Sequence, residues 1–100
     1  MPIPSSQQRL NIATTAVTVT NASAQCIASS QIRGGIIFHN PSATASIAIC
    51  PTSFGAAALN TAGSITIGPL GTITLDTLRS LDAFNAISSV ASSPLTIWEF

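Results

Sequence analysis

One hundred residues can bury one small core and are too few for two. Only six side chains carry a formal charge (Arg9, Arg33, Arg79, Asp76, Asp82 and Glu99) and lysine is absent, whereas an ordinary soluble domain is roughly one-quarter charged. Three scattered arginines cannot neutralise a phosphate track, which excludes nucleic-acid binding, and a monomer exposing on the order of 5,000 Å² would show roughly one charge per 900 Å², a poor coat for a free molecule.

Residues 1–8 read as an extended N-terminal arm, because Pro2 and Pro4 leave it no local structure to pack. From residue 9 to residue 100 the chain reads as one β domain. Thirteen isoleucines against seven leucines favour strands, since β-branched side chains are stiff and suit a pleated surface. In the segment 9–20 the apolar phase is even at Leu10 and Ile12 and odd at Val17 and Val19. A strand cannot change faces without a bulge or turn, so a break is expected near Thr14–Ala16.

A short strand follows around Cys26 and Ile27, then one over 33–40 with Ile36 and Phe38 on one face and Ile37 on the other. Asn40-Pro41-Ser42 is a turn. Residues 45–50 alternate through Ile47 and Ile49 and end at Pro51, and residues 52–63 form a longer loop with room for a helical turn over 55–60. Strands through Ile65/Ile67 and Ile73/Leu75 flank Gly68-Pro69-Leu70-Gly71, a strong turn signal. A strand over 83–88, a turn at Ser92-Ser93-Pro94 and a last strand over 95–100 complete the chain. About eight short strands with turns every eight to twelve residues predict an all-β fold, a single antiparallel β-sandwich of jelly-roll-like or Ig-like type.

In the last strand Leu95, Ile97 and Glu99 point one way, and Thr96, Trp98 and Phe100 the other. A two-layer sandwich buries only one face of each sheet. Trp98 and Phe100 therefore either cap the edge of the core or pack against a neighbouring subunit, and the scarcity of charge throughout raises the second option. Arg33, and Arg79 between Asp76 and Asp82, either form local salt bridges or set register at a subunit boundary.

Signatures of chemistry are almost absent. His39 is the single histidine, and Cys26, Cys50 and His39 show no paired ligand spacing, so neither metal nor other cofactor is expected. No GxSxG elbow, P-loop or GxGxxG occurs, the three carboxylates form no pair across a cleft, and an enzyme is not expected. No run of about 18 apolar residues exists for a membrane span. The first eight residues lack a basic start and an apolar run, which predicts a cytoplasmic translation product. Both cysteines read as small buried apolar groups.

The run Arg33-Gly-Gly-Ile-Ile-Phe-His-Asn40-Pro41-Ser42, then Ile47-Ala-Ile49, Ile65-Thr-Ile67-Gly68-Pro69-Leu70-Gly71, Ala83-Phe84-Asn85-Ala86-Ile87 and Leu95-Thr-Ile97-Trp98-Glu99 resembles the small all-β virion structural proteins of tailed bacteriophages. These include head decoration (cement) proteins and the base domains of fibres. The resemblance spans about residues 9–100 through the order and spacing of short elements, and departs at Leu70, where the pattern carries glycine. It implies a β-sandwich assembling on the capsid surface, often as a homotrimer, with the major capsid protein or other virion proteins as partners. Pro2, Ile3 and Pro4 in the arm, with Arg33, Arg79, Trp98 and Phe100, are then the candidate assembly residues. A tail or fibre component and a carbohydrate-binding sandwich are the alternatives.

Overall fold

The computed structural model describes residues 12–76 and 81–100. Eight strands are present: β1 (Ala13–Val19), β2 (Ala24–Ile27), β3 (Gly35–His39), β4 (Ile47–Pro51), β5 (Ile65–Ile67), β6 (Thr72–Asp76), β7 (Phe84–Ser88) and β8 (Ser93–Glu99). They form two four-stranded sheets, β1-β8-β3-β6 and β2-β7-β4-β5, paired antiparallel throughout. Apart from the β4–β5 hairpin, consecutive strands alternate between the sheets. This order is the jelly-roll form of the sandwich rather than the Ig-like one.

Period-two alternation builds the core. Ile36 and Phe38 of β3, Leu95 and Ile97 of β8 and Val19 of β1 face Ile47 and Ile49 of β4, Ile67 of β5, and Phe84 and Ala86 of β7. Phe38 and Phe84 meet edge to face across the two layers, with ring centroids 5.1 Å apart and planes at 68°. Each large side chain sealed here contributes about 1.5–3 kcal/mol.

Three local expectations are corrected. No break interrupts β1, which pairs with β8 in continuous register from Ala13↔Glu99 to Val19↔Ser93. The phase change is resolved instead by leaving Ile12 outside, 55% exposed, ahead of an edge strand. Residues 55–60 form no helix: 55–58 are irregular and 59–60 lie in a turn. Ser93 and Pro94 belong to β8 rather than to a turn. Proline is tolerated there because β3 pairs with β8 only from Thr96 to Glu99, so Pro94 has a single strand neighbour, Thr18 of β1.

The turns at one end of the sandwich are tied together by Asn40. It is fully buried. Its Oδ1 accepts from Ser42 N (3.1 Å), and its Nδ2 donates to the carbonyls of Ala45 (2.8 Å), Gly68 (3.1 Å) and Ile67 (3.2 Å). The β5–β6 turn closes with Gly71 N donating to Gly68 O (2.9 Å). Leu70 occupies its third position at φ 61°, a type II geometry that favours glycine and strains leucine.

Candidate functional site

The two sheets finish their outer faces differently. On β4, Ala48 and Cys50 point away from the core, yet they are 0% and 1% exposed. The loop 52–64 covers them. Asn85 Nδ2 donates to Gly55 O (2.8 Å), Ala57 N to Ser23 Oγ (2.9 Å), Asn60 N to Thr66 Oγ1 (2.9 Å), and Cys50 Sγ to Gly63 O (3.4 Å). Within this loop Ala57 is itself buried.

The outer face of β1-β8-β3-β6 has no such cover among the described residues. Two rows cross it in register: Thr14–Trp98–Ile37–Thr74, and Ala16–Thr96–His39–Thr72. Trp98 stands 42% exposed, while Leu95 and Ile97 on the opposite side of the same strand are sealed. Beside Trp98 lies a hollow of about 320 Å³ lined by Ile37, His39, Thr72, Thr96 and Trp98, and its walls are almost wholly apolar. Asp76, exposed at the end of β6, is the one carboxylate on this face among the described residues. His39 Nδ1 lies 3.1 Å from Gly71 O and 2.8 Å from Thr72 Oγ1. These two contacts hold the ring against the start of β6.

Arg33, read from sequence as either a salt-bridge residue or a boundary residue, is buried at 1% exposure. Its Nη1 donates to Glu99 Oε2 (2.9 Å), and its Nη2 to Asp82 O (2.8 Å) and Ala28 O (3.3 Å). The planar guanidinium thus ties the end of β8 to the segments after β2 and before β7. Buried charge is retained only when paired and bonded in this way. Asp82 accepts from Ser53 Oγ (2.6 Å) and from Ala83 N (2.9 Å).

Phe100 follows β8 and returns to β3. Its carbonyl accepts from Gly34 N (2.6 Å) and Gly35 N (2.8 Å), and its N–H donates to Gly35 O (3.0 Å). A Cβ on Gly35 would lie 2.5 Å from the Phe100 ring, so glycine makes this approach possible. Phe100 is therefore partly spent inside the chain, although it remains 38% exposed. Pro2, Ile3, Pro4 and Arg79 lie outside the described residues.

The structure brings Trp98 together with Ile37, His39, Thr72, Thr74 and Thr14, none of which the sequence singled out as site residues. Their signal was the alternation of threonine with aliphatic residues, which marks both faces of a strand as uncharged and does not tell which face is covered. Both cysteines are free, Cys50 buried and Cys26 half-buried. Among the described residues, no three His, Cys, Asp or Glu side chains are grouped to hold a metal.

No family model and no curated protein matches the chain. Among solved structures, a chain from disulfide-linked pili, the endospore appendages of Bacillus, superposes with a TM-score of 0.53 at 13% identity, over 89% of this chain and 84% of that one. At that identity the likeness is one of fold.

Proposed function

We propose that the protein is a structural subunit working in many copies, and that it decorates the head of a tailed bacteriophage, binding the capsid surface and bridging neighbouring subunits of the shell. The carrying observation is the sheet face left uncovered by the described residues: apolar and threonine-rich around a half-exposed tryptophan, on a molecule that covers its other sheet with its own loop. Threonine surfaces desolvate at far lower cost than charged ones and suit close contacts repeated by symmetry. The resemblance to virion proteins supplies the setting, the homotrimer and the role of residues 1–8 as a clamp on the shell. A sugar-binding reading is disfavoured because the hollow beside Trp98 offers apolar walls rather than convergent polar groups.

Quantitative mass spectrometry of purified particles tests this reading. Hundreds of copies per particle are expected. A handful would point to a tail or fibre component, and absence from particles would overturn the proposal.

The likeness to a pilus chain favours a second reading, a fibre subunit. That neighbour belongs to disulfide-linked pili, whereas burial here pushes the Cys26 thiol up to about 11 and Cys50 is enclosed. A thiol kept protonated is a slow nucleophile, so a fibre of this chain would hold together without linkage through these two cysteines. Electron microscopy of the concentrated protein, with and without reductant, checks it: filaments that survive reductant support the fibre reading, and dispersed particles under both conditions reject it.

A further inference from the structure

The free edges of the two sheets are not alike. β2 has four residues and a register shift between Gln25 and Ile27, β5 has three residues, and β6 carries the exposed Asp76 at its end. β1 has seven residues, no charge, no proline and an unbroken register with β8. Short length, bulges, charges and prolines are what keep an exposed edge from pairing, and β1 has none of them. We infer that β1 pairs antiparallel with β1 of a second copy, centred on Ala16, and joins the two β1-β8-β3-β6 sheets into one.

The backbone fixes the register. Gly35 and Phe100 exchange both bonds, Gly35 N donating to Phe100 O (2.8 Å) and Phe100 N to Gly35 O (3.0 Å). Along an antiparallel strand such exchanges fall on every second residue, and the residues between turn their N–H and C=O to the opposite side. Phe100, Trp98 and Thr96 therefore bond towards β3. Glu99, Ile97, Leu95 and Ser93 bond towards β1, where they meet Ala13, Thr15, Val17 and Val19. Thr14, Ala16 and Thr18 send their N–H and C=O off the edge, where no described residue meets them. Thr20 is next in that series, and its carbonyl, likewise turned from β8, accepts from Ser88 N (2.8 Å).

A two-fold centred on Ala16 is the register that uses all of these groups. It sets Thr14 opposite Thr18 of the other copy and Ala16 opposite Ala16, so the three N–H groups of each copy meet the three C=O groups of the other. Centring on Thr14 or Thr18 leaves some of them unpaired, and centring on Thr15 or Val17 opposes groups that β8 already uses. The side chains agree with this register. Exposed threonines face each other on the outer side, the half-buried Thr15 falls opposite Val17 on the inner side, and no charge opposes another. Main-chain bonds supply the affinity in strand addition, so the contact does not depend on a wide apolar area. The axis stands perpendicular to the sheet, so the Trp98 faces of both copies turn the same way and stay free for a shell. A two-fold contact does not close a trimer, and on a shell it joins copies of neighbouring trimers. The inference thus goes beyond the decoration reading and does not rest on it.

Sedimentation velocity of the full chain up to about 1 mM tests the pairing. Wild type is expected to dimerise reversibly. Ala16→Pro removes an N–H that β8 does not use, so it should weaken the dimer about 10-fold or more while the circular dichroism stays native. Two charge variants keep the test decisive should that one misfold. Thr14→Lys/Thr18→Lys and Thr14→Glu/Thr18→Glu each oppose like charges at exposed positions, and each should weaken its own dimer about 10-fold. Mixed together they oppose unlike charges, and the mixture should associate at least as tightly as wild type. A wild type that stays monomeric, charge variants that each dimerise like wild type, or a mixture no tighter than its components overturns the pairing. Open-ended species insensitive to both charge variants would set β6 of the next copy against β1, a contact that repeats without closing, and would overturn it as well.

Discussion

The two sheets contain four strands each and share one core, but they meet the outside in opposite ways. The β2-β7-β4-β5 sheet is covered by residues 52–64 of its own chain, held by Asn85, Ser23 and Thr66, and buries even the outward residues of β4. The β1-β8-β3-β6 sheet leaves Trp98, Ile37 and a set of threonines uncovered among the described residues. One side of the sandwich is two layers deep, sheet and loop, and the other is a single sheet. The difference teaches where stability resides: the inner faces and the covering loop hold the fold, and the outer face around Trp98 adds little to it.

The strongest way to break that comparison is to set an interior change against a surface one. Arg33→Met removes the guanidinium from Glu99 and from two backbone carbonyls, and should cost about 3–5 kcal/mol in urea or thermal unfolding. Trp98→Glu on the bare face should cost less, about 1–2 kcal/mol in the same assay, from its cross-strand contacts with Thr14 and Ile37. If the two variants unfold alike, the face around Trp98 belongs to the core of the fold and the distinction fails.

The covering loop gives the next largest effect. Asn85→Ala removes the donor to Gly55 O and should cost about 1 kcal/mol. It should also speed proteolytic cleavage within 52–64, read by mass spectrometry, while cleavage elsewhere stays unchanged. A loop no more accessible than in wild type would mean that Asn85 does not hold the cover.

A smaller change runs the other way. Leu70 sits at φ 61° and is 62% exposed, so its side chain buries little while its backbone is strained. Leu70→Gly should raise stability by about 0.5–1 kcal/mol, a rise of several degrees in Tm for a domain of this size. A drop in Tm would show that the leucine side chain supports the turn more than its backbone strains it.

At neutral pH the smallest effect comes from Cys26. Burial raises its thiol from 9.0 to about 11 in the folded chain. Between those values the folded state holds a proton that the unfolded state has released, so stability falls as pH rises from about 9 to about 11 and is untouched below that window. Cys26→Ala should flatten the fall, measured as urea midpoints against pH. An identical alkaline slope in the variant would assign the loss to another group.

Much of the architecture was legible because strands announce themselves by a period of two. The inward sets Ile36/Phe38, Ile47/Ile49 and Leu95/Ile97 lie where alternation put them, Asn40 accepts from Ser42 N in an Asx turn, and Gly68–Gly71 closes as a turn. The candidate site was legible only through Trp98 and Phe100. Arg33 shows the limit: a charge beside a strand looks the same in sequence whether it faces solvent or an internal carboxylate. Its partner Glu99 lies 66 residues away, and no local pattern links positions so distant. Asn40 behaves similarly. Its bond to Ser42 N is local and expected, while its reach to Ile67 and Gly68 depends on two turns arriving at one end of the sandwich.

The amino-acid order alone determined that this chain forms short antiparallel strands around one apolar core, that it carries only six formally charged side chains, and that Trp98 lies on the face of β8 opposite Ile97. Tertiary structure decided which sandwich those strands form, that Arg33 closes on Glu99 within the chain, and that one sheet is covered by a loop while the other has no such cover among the described residues. The reason is physical. Alternation and turn chemistry act between residues a few positions apart, whereas coverage of a face depends on which distant segment folds across it.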